Sequence, residues 1–342
     1  MALLFCALLG WHTTTAATGE DAVPVVAAPA DRRGEEQTFL TFPEWFLVFS
    51  PAEYAQFVRS RNPDEFCFWG HIGQLWSSYG QVIRQTHDRR EPTNWGYHVM
   101  IMVIGVSTTV EYAIRSAYEQ TIGRISGALS GGRTGEDDFG AQVAQEYVDF
   151  IRVRPWYEFN FSDRLRRLWT QTSFSGPHLL RKLERRYALS TEYLVKAVYG
   201  KIIEKATHTA YERPIVTTSV VIGAMPGCDS MPATVERISK SMDDTTLLAL
   251  PRYQDFMAPA TALAICGAQF HEIAGNHGVI VLSVLGPLGQ VQPAGTEVMI
   301  RQPIITQPGR EREVLMTPVA TLASVLRGLT AQGLTLEHIF DY

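Results

Sequence analysis

The pattern of apolar and polar positions changes character once along this chain. From 38 to about 210, apolar residues recur at helical spacing; beyond about 211 they gather in short β-branched runs. In the first part, Thr41-Phe42-Pro43-Glu44-Trp45 predicts a helix start, with a hydroxyl cap, a proline in the first turn and a carboxylate at the positive dipole end. Ser50-Pro51-Ala52-Glu53 predicts a second start, for a helix through Val58, and Pro63-Asp64-Glu65 a third, carrying Phe66, Phe68, Trp69, Ile72, Leu75, Trp76 and Tyr79. Residues 97–114 form the most apolar internal run. As a helix they cover about 27 Å, against roughly 30 Å for a bilayer core. Three readings stay open for this run: a buried core helix, a membrane span, or a helix lying in the interface. Residues 127–135 (GALSGGRTG) break the pattern, and Glu136-Asp137-Asp138 open a helix through Phe150.

In the second part, runs at 216–222, 245–250, 279–285, 298–305 and 314–319 predict strands, helical patterns fall at 232–242, 253–266 and 318–332, and 334–340 closes as a strand. Pro308-Gly309-Arg310 predicts a hairpin turn, and Asn276 another. The order implies an α+β fold: an aromatic-rich helical body followed by a compact sandwich with ferredoxin-like elements. The expected organisation is a signal or anchor segment (1–17), a linker (18–37), a helical domain with membrane association (38–210) and an α+β domain (211–342).

Composition sharpens the first half. Residues 39–169 hold 24 of the 36 aromatic residues and six of the seven tryptophans. Such rings concentrate at membrane interfaces, partner surfaces and thick helical cores. The N-terminal run ALLFCALLGW has the length of a signal-peptide core, with Ala16 and Ala17 as a cleavage zone, but lacks a basic flank; a hydrophobic tail docked on the fold is the alternative. None of Cys6, Cys67, Cys228 and Cys266 lies in a CxxC, which argues against a zinc or thioredoxin-like site; with Cys6 in the leader three remain, an odd number that cannot all pair within the chain, so disulfides are not expected as the main staple and these three read as small buried hydrophobes.

Charge is uneven. The chain carries a net −5, which argues against a dedicated nucleic-acid binder, yet 152–205 holds 12 Lys/Arg against 5 Asp/Glu. Arg164, Arg166 and Arg167 form one cluster, and Arg181, Lys182, Arg185 and Arg186 another, with Trp156, Tyr157 and Trp169 between them. That segment is a candidate surface for anionic headgroups. A solvated helix face with Glu184 and Glu192 as counter-charges is the other reading.

No GxSxG, HExxH, GxGxxG, CxxCH or EF-hand loop is present, so the motifs leave cofactor and metal unassigned. Glu204/His208 and His271/Glu272 are isolated pairs. The polar residues set among the aromatics, Glu44, His71, His98, Glu111, Glu146 and Glu158, are the candidate acid–base or metal cluster, provided that they converge. The phrases TFLTFPEWFLVFSPAEYA, GYHVMIMVIGVSTTVEYAI, EYVDFIRVRPWYEF, GPHLLRKLERRYALS and IAGNHGVIV together resemble an uncharacterised bacterial family of predicted exported or membrane-anchored proteins. The resemblance implies an envelope location and an N-terminal anchor; it implies no activity and no site residues. The expectation is a non-enzymatic membrane-associated envelope protein with a binding or sensing C-terminal domain and room for a protein partner. The alternative is an enzyme with a His/Glu site in the helical half.

Overall fold

The structure is a computed structural model that describes residues 32–34, 36–210, 216–223, 232–240 and 245–340. Residues 1–17, most of the 18–37 linker, Cys6 and Cys228 lie outside them. Helix α1 (Glu36–Phe57) runs unbroken through Pro43 and Pro51, so the two predicted helices are one. An interior proline costs about 3 kcal/mol. Phe39, Phe42, Trp45, Phe46 and Phe49 are all buried on this helix, at about 1.5–3 kcal/mol each, which outweighs the two prolines. A short 3₁₀ turn at Pro63–Glu65 leads to α2 (Phe68–Asp88). Helix α3 (Trp95–Tyr118) passes through a π turn, Glu119–Gly123, into α4 (Arg124–Ser130), making one 36-residue rod. Gly131, at φ 66°, ends it. In α5 (Gly135–Ile151) the cap is a box: Thr134 and Asp137 each satisfy the other's backbone N–H. Helices α6 (Phe161–Gln171) and α7 (Leu179–Ala210) complete the helical body.

The second half is β1 (Thr217–Ile222), β2 (Glu236–Lys240), β3 (Thr246–Pro251), α8 (Met257–Ile265), β4 (Phe270–Ile273), β5 (Val279–Pro287), β6 (Glu297–Pro303), β7 (Arg310–Pro318), α9 (Val319–Leu329) and β8 (Thr335–Phe340). Together with the helical body this makes the chain α+β. Two four-stranded antiparallel sheets run β2-β3-β1-β4 and β6-β7-β5-β8, so both halves repeat one strand plan. A ferredoxin-like unit carries two crossover helices; the connection 288–296 in the second half contains none. The helix expected over 232–242 is replaced by strand β2, which pairs with β3. Its short apolar pattern was equally compatible with a strand, and the edge of β3 decided it. Strand β4, four residues long, was too short to announce itself.

One core joins both sheets to α8 and α9. A second core packs the other face of the β6-β7-β5-β8 sheet against α1, through Phe39, Phe42, Trp45, Val281, Val314, Met316 and Phe340. Thr38 stitches this contact: its hydroxyl accepts the Val281 N–H and donates to the Phe340 carbonyl, both at 3.0 Å. Val281 and Phe340 face each other across β5 and β8.

Candidate functional site

The rod α3–α4 and helix α7 lie side by side and antiparallel, as their contacts show. Lys196 meets Glu111 at 3.0 Å, Glu192 meets Arg115 at 3.6 Å, and Arg185 grips Glu119 through two bonds of 2.9 and 3.0 Å. The buried face of the rod presents Ile101, Gly105, Tyr112, Ser116, Glu119, Gly123 and Ser126, which are mostly small or polar. The outward face presents Trp95, Val99, Val103, Val106, Val110, Ile114, Ile125 and Leu129, all exposed. From Trp95 to Ala117 the charged side chains are only part-exposed, and from Leu179 to Tyr199 on α7 they are buried or part-exposed; further along, Arg124 on α4 and Lys201 on α7 are exposed. There the outward residues are Leu179, Leu180, Leu183, Tyr187, Leu194, Val195, Val198 and Tyr199. Both helices are therefore amphipathic in the inverted sense: aliphatic side chains out, charges in. Water-soluble helices do the opposite.

The basic cluster goes inward with them. Arg181 (1% exposed) donates to Asp137 at 2.8 Å, to Ser126 and the Gly123 carbonyl at 3.0 Å, and to Glu184. Arg185 is shared between Glu119 and Glu184. Arg186 donates to Glu136 at 2.9 Å and to Thr172, and lies 3.7 Å over the Phe174 ring. Lys182 caps the Ser173 and Ser175 carbonyls. Arg164 and Arg167 converge on Glu146, and only Arg166 is well exposed, beside Asp163. The segment expected to offer an anionic-headgroup surface thus spends most of its charge on internal pairs. Unpaired, each of these buried guanidiniums would carry a desolvation cost of several kcal/mol.

The candidate acid–base residues are held apart, and no two share a side-chain partner among the described residues. His71 is buried and bonds Ser50 Oγ at 2.9 Å; His98 bonds the Tyr79 hydroxyl at 2.9 Å; Glu111 and Glu146 sit in the ion pairs above; Glu158 is exposed in a short 3₁₀ turn. Glu44 accepts from the Tyr97 hydroxyl at 2.6 Å, and burial raises its pKa. Glu272 is buried near His277 at 3.4 Å, while the His208 side chain lies outside the described residues. No group of three metal-ligating side chains occurs among the described residues.

Sequence reasoning missed the network in which His71 takes part. Tyr112 on α3 meets Ser50 Oγ at 2.7 Å, Ser50 meets His71, and His71 Nε2 lies 3.7 Å from Glu53. Glu53 accepts from Arg312 on β7 at 3.1 Å, and Arg312 holds Glu337 on β8 through bonds of 2.6 and 2.7 Å. The chain of contacts thus leads from the rod to the second sheet. Ser50, His71 and Glu53 have the order of nucleophile, base and orienting carboxylate. However, Ser50 and His71 are about 1% and 0% exposed, and 3.7 Å is too long for a hydrogen bond, so the arrangement acts as an internal tie. A signal existed in the sequence: Arg310-Glu311-Arg312-Glu313 in a strand sends charges to both faces, so at least one pair had to find partners inside. An open groove of about 460 Å³ between α1 and α5 is lined by Arg59, Asp138, Gln142, Gln145, Glu146 and Asp149; Arg59 already bonds Gln145 at 2.8 Å.

The cysteines depart from expectation. Cys67 is exposed and free, and Cys266 is exposed and disulfide-bonded, its partner lying outside the described residues. Among the described residues, the rod Trp95–Ser130 is long and apolar enough to cross a membrane by length and composition, and only 17% of its most apolar window is buried. Of the three readings of 97–114, this low burial is compatible with the two that place the helix in a membrane or its interface. Comparison with family models, curated proteins and solved structures finds no match.

Proposed function

We propose that this is a non-enzymatic, membrane-associated protein of the bacterial cell envelope, whose helical half meets lipid and whose C-terminal half binds or senses a partner on the aqueous side. The observation that carries the reading is the inverted polarity of α3–α4 and α7, with mainly aliphatic faces outward, interrupted by Arg124 and Lys201, and paired charges behind them. Two exposed stripes of this kind form an apolar surface of the sort that marks an interaction site. The disulfide at Cys266 supports an oxidising compartment, as does the family resemblance. Lipid contact here is apolar rather than electrostatic, because the arginines of 181–186 are occupied.

Fractionation of the full chain tests this. The protein is expected to sediment with membranes, to resist release by high salt and alkaline carbonate, and to need detergent. A chain lacking residues 1–31 should keep that behaviour through α3–α4 and α7. Release of the shortened chain into a soluble monomer by salt alone would refute the reading.

A further inference from the structure

We propose that α3–α4 and α7 lie flat in one leaflet and that neither crosses the bilayer. This rests on the membrane reading above and adds its geometry. The first argument is one-sidedness. The rod's opposite face packs on Trp76 of α2, on α1 and on α7, so the body blocks it from being lipid-covered all round. The outer surfaces of the neighbouring helices carry polar and charged side chains: α2 exposes Ser77, Arg84, His87 and Asp88 beside Trp69 and Ile83, and α5 exposes Asp138, Gln142 and Asp149. A crossing rod would drag these surfaces into hydrocarbon.

The second argument is length. The outward side chains of the rod run on for about 51 Å from Trp95 to Leu129, past the exposed Arg124, and those of α7 for about 35 Å from Leu179 to Ile202, past the exposed Lys201, so a crossing helix would have to carry these charges with it. Both exceed the roughly 30 Å of a hydrocarbon core.

The third argument is where the charges sit. Glu111, Arg115, Glu192 and Lys196 fall near the middle of the two stripes, and the Glu111 side chain remains 41% exposed. In a crossing orientation this quartet would lie close to the bilayer midplane, the costliest depth for it. In a flat orientation it lies along the flank of the helices at headgroup level, where the part-exposed Glu111 carboxylate is solvated. An in-plane helix buries its apolar face by about 5–10 Å, which matches a stripe one face wide. Trp95 and Trp169, both exposed, are suited to the same depth.

The experiment uses the full chain bound to sealed vesicles of mixed zwitterionic and anionic phospholipid. Thr93→Cys and Gly132→Cys, at the two ends of the rod, are made singly in a Cys67→Ala background and treated from outside with a membrane-impermeant thiol reagent, and labelling is read by mass spectrometry of the peptide that carries the introduced cysteine. Both sites are expected to label without detergent. If one end labels only after lysis, the rod crosses the bilayer; the flat seat is overturned while membrane association stands. Val103→Asp with Val198→Asp, on the two outward stripes, is expected to lower the vesicle-bound fraction roughly tenfold or more with helix content unchanged. If the parent chain ignores vesicles and instead forms a dimer that this double variant makes monomeric, the face belongs to a second copy. Both the seat and the membrane reading then fail.

Discussion

His338 is fully buried, stacks on Trp45 with ring centroids 3.5 Å apart, and has no hydrogen-bond partner for either ring nitrogen among the described residues. Its cross-strand neighbour Ser283 is likewise buried with an unpartnered hydroxyl. Burial holds the His338 pKa well below the usual 6.5, and burial, with the charge of Arg312, holds that of His71 at about 4. Unfolded, both rings titrate near 6.5. Below that pH the unfolded chain binds protons that the folded chain refuses, so stability is complete above about pH 6.5 and falls as pH drops. The slope is up to about 1.4 kcal/mol per pH unit for each ring, and the share of His71 levels off near pH 4. Urea midpoints measured from pH 7 to 5 should decline accordingly. His338→Phe, which keeps a ring on Trp45, should flatten the decline; an unchanged profile would remove His338 from this account. Arg312 belongs to the same scale. Arg312→Leu strands Glu53 and Glu337 and should cost about 3–5 kcal/mol in denaturant unfolding, while adding Glu53→Leu and Glu337→Leu should recover most of it. A thiol reagent applied without reductant should modify Cys67 and leave Cys266 untouched until the disulfide is reduced.

Among the elements, α7 explains what the sequence could and could not tell. Its residues separate into a charged face (Arg181, Arg185, Glu192, Lys196) and an apolar one (Leu180, Leu183, Tyr187, Leu194, Val198), and the periodicity makes that division legible. Periodicity does not say which face meets solvent. Partners for the charged face come from Glu119, Glu136 and Asp137, on segments 40–70 positions earlier, and no local pattern links them. The strands read well because their β-branched runs were bounded by Gly and Pro. The segment 232–242 did not, since its side chains fit either period. Gly105 gives a direct test of how the rod is seated: a Cβ there would come within 3.1 Å of the Trp76 ring, whose indole N–H donates to Thr109 at 2.9 Å. Gly105→Val should destabilise by about 1–3 kcal/mol and shift the tryptophan fluorescence. Wild-type stability and emission would mean that the rod does not bear on α2.

At the scale of the whole molecule, the change of pattern near 211 correctly separated a helical half from a sheet half, but it concealed how closely they join. Helix α1 belongs to the first half by sequence but packs on both, against α2, α3 and α5 on one side and, through its aromatic side chains, against one face of the sheet containing β5 and β8 on the other. The candidate cluster was legible only as a set of residue types; its members serve separate ties because the helices carry them to different seams. The outward apolar surface, too, is a property of two helices together, since the stripe of either one alone is narrower than the pair of them.

The bridge made by Thr38 bears on how the molecule is built. Thr38 and Phe340 are 302 positions apart, and both belong to one hydrogen-bonded seam. Contacts of such long range form late and slow the search for the native state. During synthesis α1 emerges first, with Phe39, Phe42 and Trp45 as its apolar load, and the strands that will cover them are the last to be made. Through that interval α2, α3 and α5 can already pack on the helix, while its sheet-facing side chains wait for their native cover until β8 is made, so the seam at Thr38 closes only when the chain has been synthesised as far as Phe340.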